Sequence, residues 1–278
     1  MDSDGKFRAD TEFEGQQVSL VGSMIVDYNR LADRFDERYQ HLTYPVIRGR
    51  LRRLIDRPGI DVLEVGCGTG HWLGVLSDLD AHLFGIDPSL AMLDKAQSQA
   101  PEAVLACASA ERLPFRSNSL GLVFCVNAFH HFSDPKRFLQ DSRALLRRGG
   151  RLAIFGLDPH VPGVTWYFYD YFPGLKKIDL QRFLPHKKIG HLMAEVGFQN
   201  IATEPADRIQ ATYLGEEVLK DPFLDRTSTS QLQLISEEAY AQGKRAIISR
   251  IKSSNETNRR VSFNVDHHLF ATIGTRDD

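Results

Sequence analysis

Gly66, Gly68 and Gly70 alternate along "VLEVGCGTGHW" (62–72), with Glu64 two positions before the first of them. Glycine serves where φ must be positive or where a side chain would hold a ligand away from the backbone. A glycine loop that leaves a strand and enters a helix also presents unpaired N–H groups, a seat for an anionic group. A second acid, Asp87, closes the strand-like run "HLFGID" (82–87). A carboxylate there can accept hydrogen bonds from ribose hydroxyls, each worth about 1.5–3 kcal/mol when one partner is charged. The two features together predict a nucleoside ligand.

The charges around the loop narrow the choice. A dinucleotide fingerprint, G-x-G-x-x-G, needs glycine at position 71, where His71 stands. Glu64 beside the loop is unfavourable for a pyrophosphate and suits an ammonium and a sulfonium. S-adenosylmethionine (SAM) carries both, plus a carboxylate for the N–H groups, so the residues favour it over a nicotinamide dinucleotide.

Other residues carry chemistry that can be read in two ways. His130 and His131 suit a general base, since histidine titrates near neutrality, or they cap a helix and bond the chain near the cofactor. Tyr167, Tyr169 and Tyr171, in "TWYFYDYFPG" (165–174), line an acceptor pocket or belong to the core. "RGRLRRLIDR" (48–57) offers Arg50, Arg52 and Arg53 to RNA phosphates, or forms a solvated helix face interrupted by Leu51, Leu54 and Ile55. Tyr240 and Lys244 form a Y-x-x-x-K pair by chance, and Asp266-His267-His268 has too few partners for a metal site, so no metal is expected.

Alternating elements must position these residues. Residues 24–57 read as helical, "DVLEV" (61–65) as a buried strand, "HWLGVLSDL" (71–79) as a helix and 82–87 as the second strand. Ser89 caps the next helix, and "AVLACA" (103–108) and "SLGLVFCV" (119–126) are further strands. Asp134 and Pro135 open a helix that Gly149 ends, before a fifth strand, "RLAIFG" (151–156). A helix over 186–198 stops at Gly197, residues 200–206 and 268–274 are late strands, and 207–252 is a helical insert that could act as a lid. Such alternation predicts an α/β fold with a parallel sheet and helices on both faces.

Six segments in order resemble one family, the class I SAM-dependent methyltransferases, in particular its small-molecule group that includes ubiquinone and menaquinone C-methyltransferases. "VLEVGCGTG" resembles the first SAM motif, which implies Glu64, Gly66, Gly68, Thr69 and Gly70 around the methionine part. "GIDPS" implies Asp87 on the ribose, with Met92 near the nucleoside. "SAERLPF" (109–115) is similar to the segment that meets the adenine edge; it carries Ser109 where the family often has Asp, leaving the Ala110 N–H to serve. "CVNAFHHF" (125–132) implies Asn127 facing the methionine part, "LLRRGGRLAI" matches the turn before the fifth strand, and "YNRLADRFD" (28–36) is similar to an N-terminal helix whose Tyr28 lies over the cofactor.

The resemblance covers residues 28–156 well and the rest loosely. It implies a doubly wound, mostly parallel seven-stranded sheet of Rossmann-like methyltransferase type, with a helical N-terminal segment and a helical cap insert. Residues 1–20 are expected to be a loose tail and 21–278 one domain, with 158–185 and 207–252 covering the acceptor. The expected reaction is methyl transfer from SAM to a small-molecule acceptor, with His131 the first candidate base and Tyr28 a pocket-side helper.

Composition narrows the alternatives. In 278 residues, 34 Lys plus Arg nearly balance 36 Asp plus Glu, which gives no global bias toward nucleic acid or an anionic membrane. Cys67, Cys107 and Cys125 sit in apolar runs and read as buried free thiols of a reducing compartment. With no signal arrangement and no membrane-length apolar stretch, a cytoplasmic enzyme is expected. Two other readings stay open: an RNA methyltransferase, and a SAM-binding fold kept as a non-catalytic assembly protein.

Overall fold

In the computed structural model, which describes Tyr28 and residues 35–277, β1 (Ile60–Val65), β2 (Ala81–Asp87), β3 (Val104–Cys107), β4 (Leu120–Val126) and β5 (Leu146–Leu157) lie parallel. β6 (Thr165–Trp166), β7 (Gln199–Leu214) and β8 (Ser262–Arg276) complete an 8-stranded sheet in the order β3-β2-β1-β4-β5-β8-β6, with β7 also on β8. β8 pairs antiparallel with β5, β6 and β7, so it alone runs against the rest. This is the doubly wound sheet expected from the sequence, with the two-residue β6 as an eighth strand. Every residue of β4 is buried, as a central parallel strand covered on both faces requires.

Two apolar layers cover the sheet. On one face α2 (Pro45–Leu54) and α3 (His71–Leu76) pack Ile47, Leu51, Trp72 and Leu73 against Val62 and Phe124. On the other, α5 (Pro135–Leu145) and α8 (His186–Glu195) set Phe138, Leu139, Ile189 and Met193 over Leu63, Val123 and Ile154. The caps read from sequence are present: Ser89 Oγ accepts from Met92 N at 3.2 Å at the start of α4 (Leu90–Gln99), and Asp134 Oδ1 accepts from Arg137 N at 2.9 Å.

Three boundaries differ from expectation. The 24–57 segment is broken where it is described: α1 (Glu37–His41) ends before Tyr44, whose φ of 43° precedes Pro45. A residue before proline is driven out of the right-handed helical region. α5 stops at Leu145 rather than Gly149, and β5 starts at once with Leu146 paired to Leu120. Residues 207–214, expected in a helical insert, are the second half of β7, paired to β8 from Arg208–His268 to Leu214–Ser262. Of the three thiols, Cys67 and Cys125 are buried but Cys107, on the edge strand, is exposed. The tail expected over 1–20 lies outside the described residues. Among those described, no helix is long and apolar enough to cross a membrane.

A third core lies above the carboxyl ends of the strands. α6 (Tyr167–Tyr171), α7 (Leu175–Arg182), α9 (Ser230–Gln233) and α10 (Glu237–Glu256) gather Phe168, Phe172, Leu232 and Ile247 around Phe263 of β8. Phe172 stacks on Tyr240 with ring centroids 5.9 Å apart, and a Cβ at Gly243 would sit 2.3 Å from Phe172 Cδ1. Gly243→Ala is therefore expected to destabilise the protein by about 1–3 kcal/mol through overpacking. Chemical denaturation measures it; an unchanged midpoint contradicts the packing described.

Candidate active site

The strand order reverses between β1 and β4, and a cavity of about 390 Å³ opens beyond their carboxyl ends. Ligands of open α/β sheets bind at such a reversal. Glu64, Gly66 and Gly68 reach it from β1, Asp87 from β2, Ser109 and Ala110 from the segment after β3, and Asn127 from the end of β4. Tyr28 closes it from the N-terminal side, and His130 and His131 line it beside Asn127. Thr69, Gly70 and Met92 are near but do not line it. Thr69 Oγ1 donates to Asp36 Oδ1 at 2.5 Å, Gly70 caps α3, and Met92, fully buried, packs under Tyr28 and Phe35.

The glycine loop is held by its backbone. Gly66 N and Cys67 N both donate to the carbonyl of Ile86, at 2.8 and 3.0 Å, which folds the loop onto the end of β2. Gly66 has φ +72°, and a Cβ there would lie 2.7 Å from Ala128 Cβ, so both conformation and space demand glycine. Asp87 ties loop to helix: Oδ2 accepts from Gly68 N at 3.0 Å and Oδ1 from Ser89 N at 2.9 Å. Each carboxylate oxygen has a second lone pair left for a ligand. Asn127 adopts φ 51°, a left-handed conformation that asparagine tolerates, and its N–H donates to Phe155 O at 2.8 Å.

The electrostatics of the loop end are unbalanced. Glu64 is 1% exposed, and its Oε2 has no hydrogen-bond partner. Burial, and then the Asp87 carboxylate, push its carboxyl well above the ordinary range. Burial raises Asp87 as well, against the pull of its two N–H donors. Two buried carboxyls facing one cavity with an orphan oxygen are the complement of a cation. Arg38 is the only lysine or arginine among the described residues lining the cavity; its Nε and Nη2 donate to the carbonyls of Phe35 and Ser228, both at 2.8 Å. A ligand with a positive centre and a carboxylate matches this set, as the charge argument from sequence expects.

Above the loop lies a ring of side chains. His131 Nε2 and Tyr28 Oη are 2.5 Å apart, Arg182 Nη2 is 3.3 Å from His131 Nδ1 and 3.4 Å from Ser230 Oγ, and Ser230 also pairs with Tyr28. Arginine only donates, so Nδ1 accepts and the proton of the neutral ring sits on Nε2, pointing at the phenol oxygen. Burial, and then Arg182, lower the His131 pKa to about 3, while burial pushes Tyr28 up to about 12. At neutral pH both are uncharged. His131 thus acts as a donor to Tyr28, and the tyrosine hydroxyl is the group the ring directs. His130 stacks on Phe183, centroids 4.0 Å apart.

Several residues here are not singled out by the sequence, although Glu111 and Trp166 lie in segments that it marks. Arg182 stands behind His131 with Asp179, 3.7 Å away and itself bonded by Tyr169 Oη at 3.0 Å. Glu111 lines the cavity and accepts from Ser133 N and Oγ, both at 2.8 Å, and from Ser109. From the aromatic run it is Trp166 that reaches the cavity; Tyr167 donates to Asp221 at 2.7 Å and joins the third core, and Tyr171 packs against it. Tyr240 donates to Leu224 O at 2.9 Å, a structural role. Among the described residues no cluster fit for a metal is present.

Comparison with known proteins agrees with this geometry. Residues 63–154 match the methyltransferase domain family. The chain is 28% identical over 203 residues to the demethylmenaquinone methyltransferase of Thermotoga maritima, covering 64% of this chain and 88% of that protein. It is 32% identical over 220 residues to the mouse tRNA (carboxymethyluridine(34)-5-O)-methyltransferase ALKBH8, spanning 78% of this chain but 29% of that longer protein. Phosphoethanolamine N-methyltransferase 2 of Haemonchus contortus, solved with S-adenosyl-L-methionine, superposes with a TM-score of 0.57 at 17% identity over 91% of this chain and 61% of its own.

Proposed function

We propose that this chain, which belongs to the class I SAM-dependent methyltransferases, moves the methyl group of SAM to a small-molecule acceptor held under the cap. The observation that carries the acceptor class is the enclosure of the cavity. The third core lies over the strand ends, and among the described residues Arg38 is the one lysine or arginine that faces the space. Glu64, beside the glycine loop, holds the amino-acid end of SAM, Asp87 the ribose, and Glu111 with Ala110 and Ser109 the adenine edge. Asn127 completes the wall of that site, and Met92 supports it from behind Tyr28 and Phe35. Residues 158–185 and 207–252 cover the acceptor, and a cytoplasmic setting fits the free thiols.

The sulfonium of bound SAM supplies an already activated methyl group. The chain's own residues therefore align the acceptor atom and exclude water, which contributes on the order of 7–11 kcal/mol. His131 holds the Tyr28 oxygen in place, and the Tyr28 hydroxyl orients the acceptor heteroatom. A histidine with a pKa of about 3 is a poor base, so the role expected from sequence passes from His131 to the pair.

Incubating the protein with methyl-labelled SAM and fractionated cell extract, then identifying the labelled product, tests this reading. Label in a small molecule supports it; SAM binding without turnover on any fraction favours a non-catalytic assembly role. Asp87→Ala is expected to weaken SAM binding at least tenfold by calorimetry, and an unchanged affinity removes the ribose assignment.

Methylation of RNA is the second reading, favoured by the likeness to the mouse tRNA enzyme. Against it, Arg50 is paired with Glu204 at 2.8 Å and Arg52 is bidentate on Asp78 at 2.6 and 2.9 Å. Label in tRNA, with binding that falls steeply as salt rises, selects this reading instead.

A further inference from the structure

The cavity extends past the glycine loop to a wall of apolar and aromatic side chains, among them Trp166, Ile209, Tyr213, Val265 and Leu269. The charged groups nearest that wall are already engaged. The Asp221 oxygens accept from Tyr167 Oη at 2.7 Å and from Phe223 N at 3.0 Å, and Arg38 is bonded to two carbonyls.

One polar side chain in this wall is left over. His267 lies on β8 opposite Ile209, is 7% exposed and lines the cavity. Its Nδ1 is closed off with no hydrogen-bond partner, and no hydrogen bond joins the ring to any described residue. Trp166 packs on it edge to face, centroids 5.0 Å apart, and Nε2, which is not sealed as Nδ1 is, is left unanswered beside the cavity. Buried polar groups are nearly always paired, so an unpaired imidazole in the wall of a ligand cavity points to a ligand group. Burial lowers its pKa to about 4, leaving a neutral ring with one donor and one acceptor.

We propose that His267 determines acceptor specificity by hydrogen-bonding a hydroxyl or carbonyl on an uncharged, largely apolar methyl acceptor. The inference rests on the methyltransferase reading and adds the chemistry of the substrate. A charged group set against this wall would lose its hydration with no free counter-charge in the wall itself, whereas a neutral hydroxyl or carbonyl satisfies the open ring nitrogen.

The test uses the full chain, labelled with ¹⁵N in its histidines and saturated with S-adenosylhomocysteine. Three probes share one ring system: 1-naphthol, 1-naphthoate and 1-naphthylmethylamine. Naphthol is expected to move the His267 ring-nitrogen resonances and to bind at least tenfold more tightly than either charged probe. His267→Phe should cost naphthol at least tenfold in affinity and leave 1-methylnaphthalene unchanged. Equal or tighter binding of a charged probe, no binding of naphthol, or unchanged naphthol affinity in the variant overturns the proposal. His267→Gln is measured alongside, and if neither variant folds the wild-type resonances decide. A SAM titration of the ligand-free protein tests the methyltransferase reading separately: failure there removes that reading, while the naphthol series judges His267 alone.

Discussion

Glu64→Gln yields a protein that melts higher than wild type without ligand and binds SAM roughly ten- to a hundredfold more weakly. The carboxyl is buried, has an orphan oxygen and feels Asp87, so the folded chain holds its proton far more tightly than the unfolded chain does. The sign follows from linkage: above the ordinary pKa of 4.5 the unfolded state binds fewer protons, and stability falls as pH rises toward the folded-state pKa. Below pH 4 the group is protonated in both states and the variant gains nothing; its advantage grows as pH rises above 4.5. A bound cation reverses the balance, because a charge-assisted hydrogen bond contributes about 1.5–3 kcal/mol that glutamine does not supply. Melting curves from pH 4 to 8, with and without SAM, read both effects. A variant that loses stability, or that keeps wild-type affinity, rules out a cation beside Glu64.

Tyr28→Phe lowers kcat by roughly a hundredfold, the low end of what a positioned proton-bearing group contributes, and leaves SAM affinity within a few-fold. The phenylalanine keeps the ring over Phe35 and Met92 and deletes the oxygen that His131 and Ser230 share. Arg182→Met distinguishes placement from simple packing. Burial and then Arg182 hold His131 near 3, so activity in wild type persists far into acid. Without the guanidinium the ring protonates at higher pH, Nδ1 becomes a donor, and the acid limb of the rate profile moves upward. Arg182→Lys retains the charge and should retain most of the low-pH activity. An acid limb that stays in place in Arg182→Met means that Arg182 does not govern His131.

Much of the cofactor end was legible in the sequence because its signals are local. Glu64, Gly66, Gly68, Asp87 and Asn127 all sit at or just past the carboxyl ends of strands, where the switch in strand order must gather them. Local patterning also marked the caps at Ser89 and Asp134. Thr69, Gly70 and Met92 sit in the same motifs, but their contacts run to Asp36, Ala96 and Phe35, and spacing does not say which side of a loop faces the ligand. The acceptor side was opaque for another reason. Arg182 meets His131 and Ser230 only through the tertiary fold. The tyrosines of 167–171 look like pocket residues in sequence, yet helical winding turns Tyr167 into the third core. Residues 207–214 carry polar and apolar side chains that suit one exposed strand as readily as a helix.

β8 is a single uninterrupted strand: Phe263 sits in the core of the cap, while Ala271 and Ile273 pair with the middle of β5. The substrate chamber and the nucleotide platform thus share one girder, and the cap cannot hinge away as a detached flap.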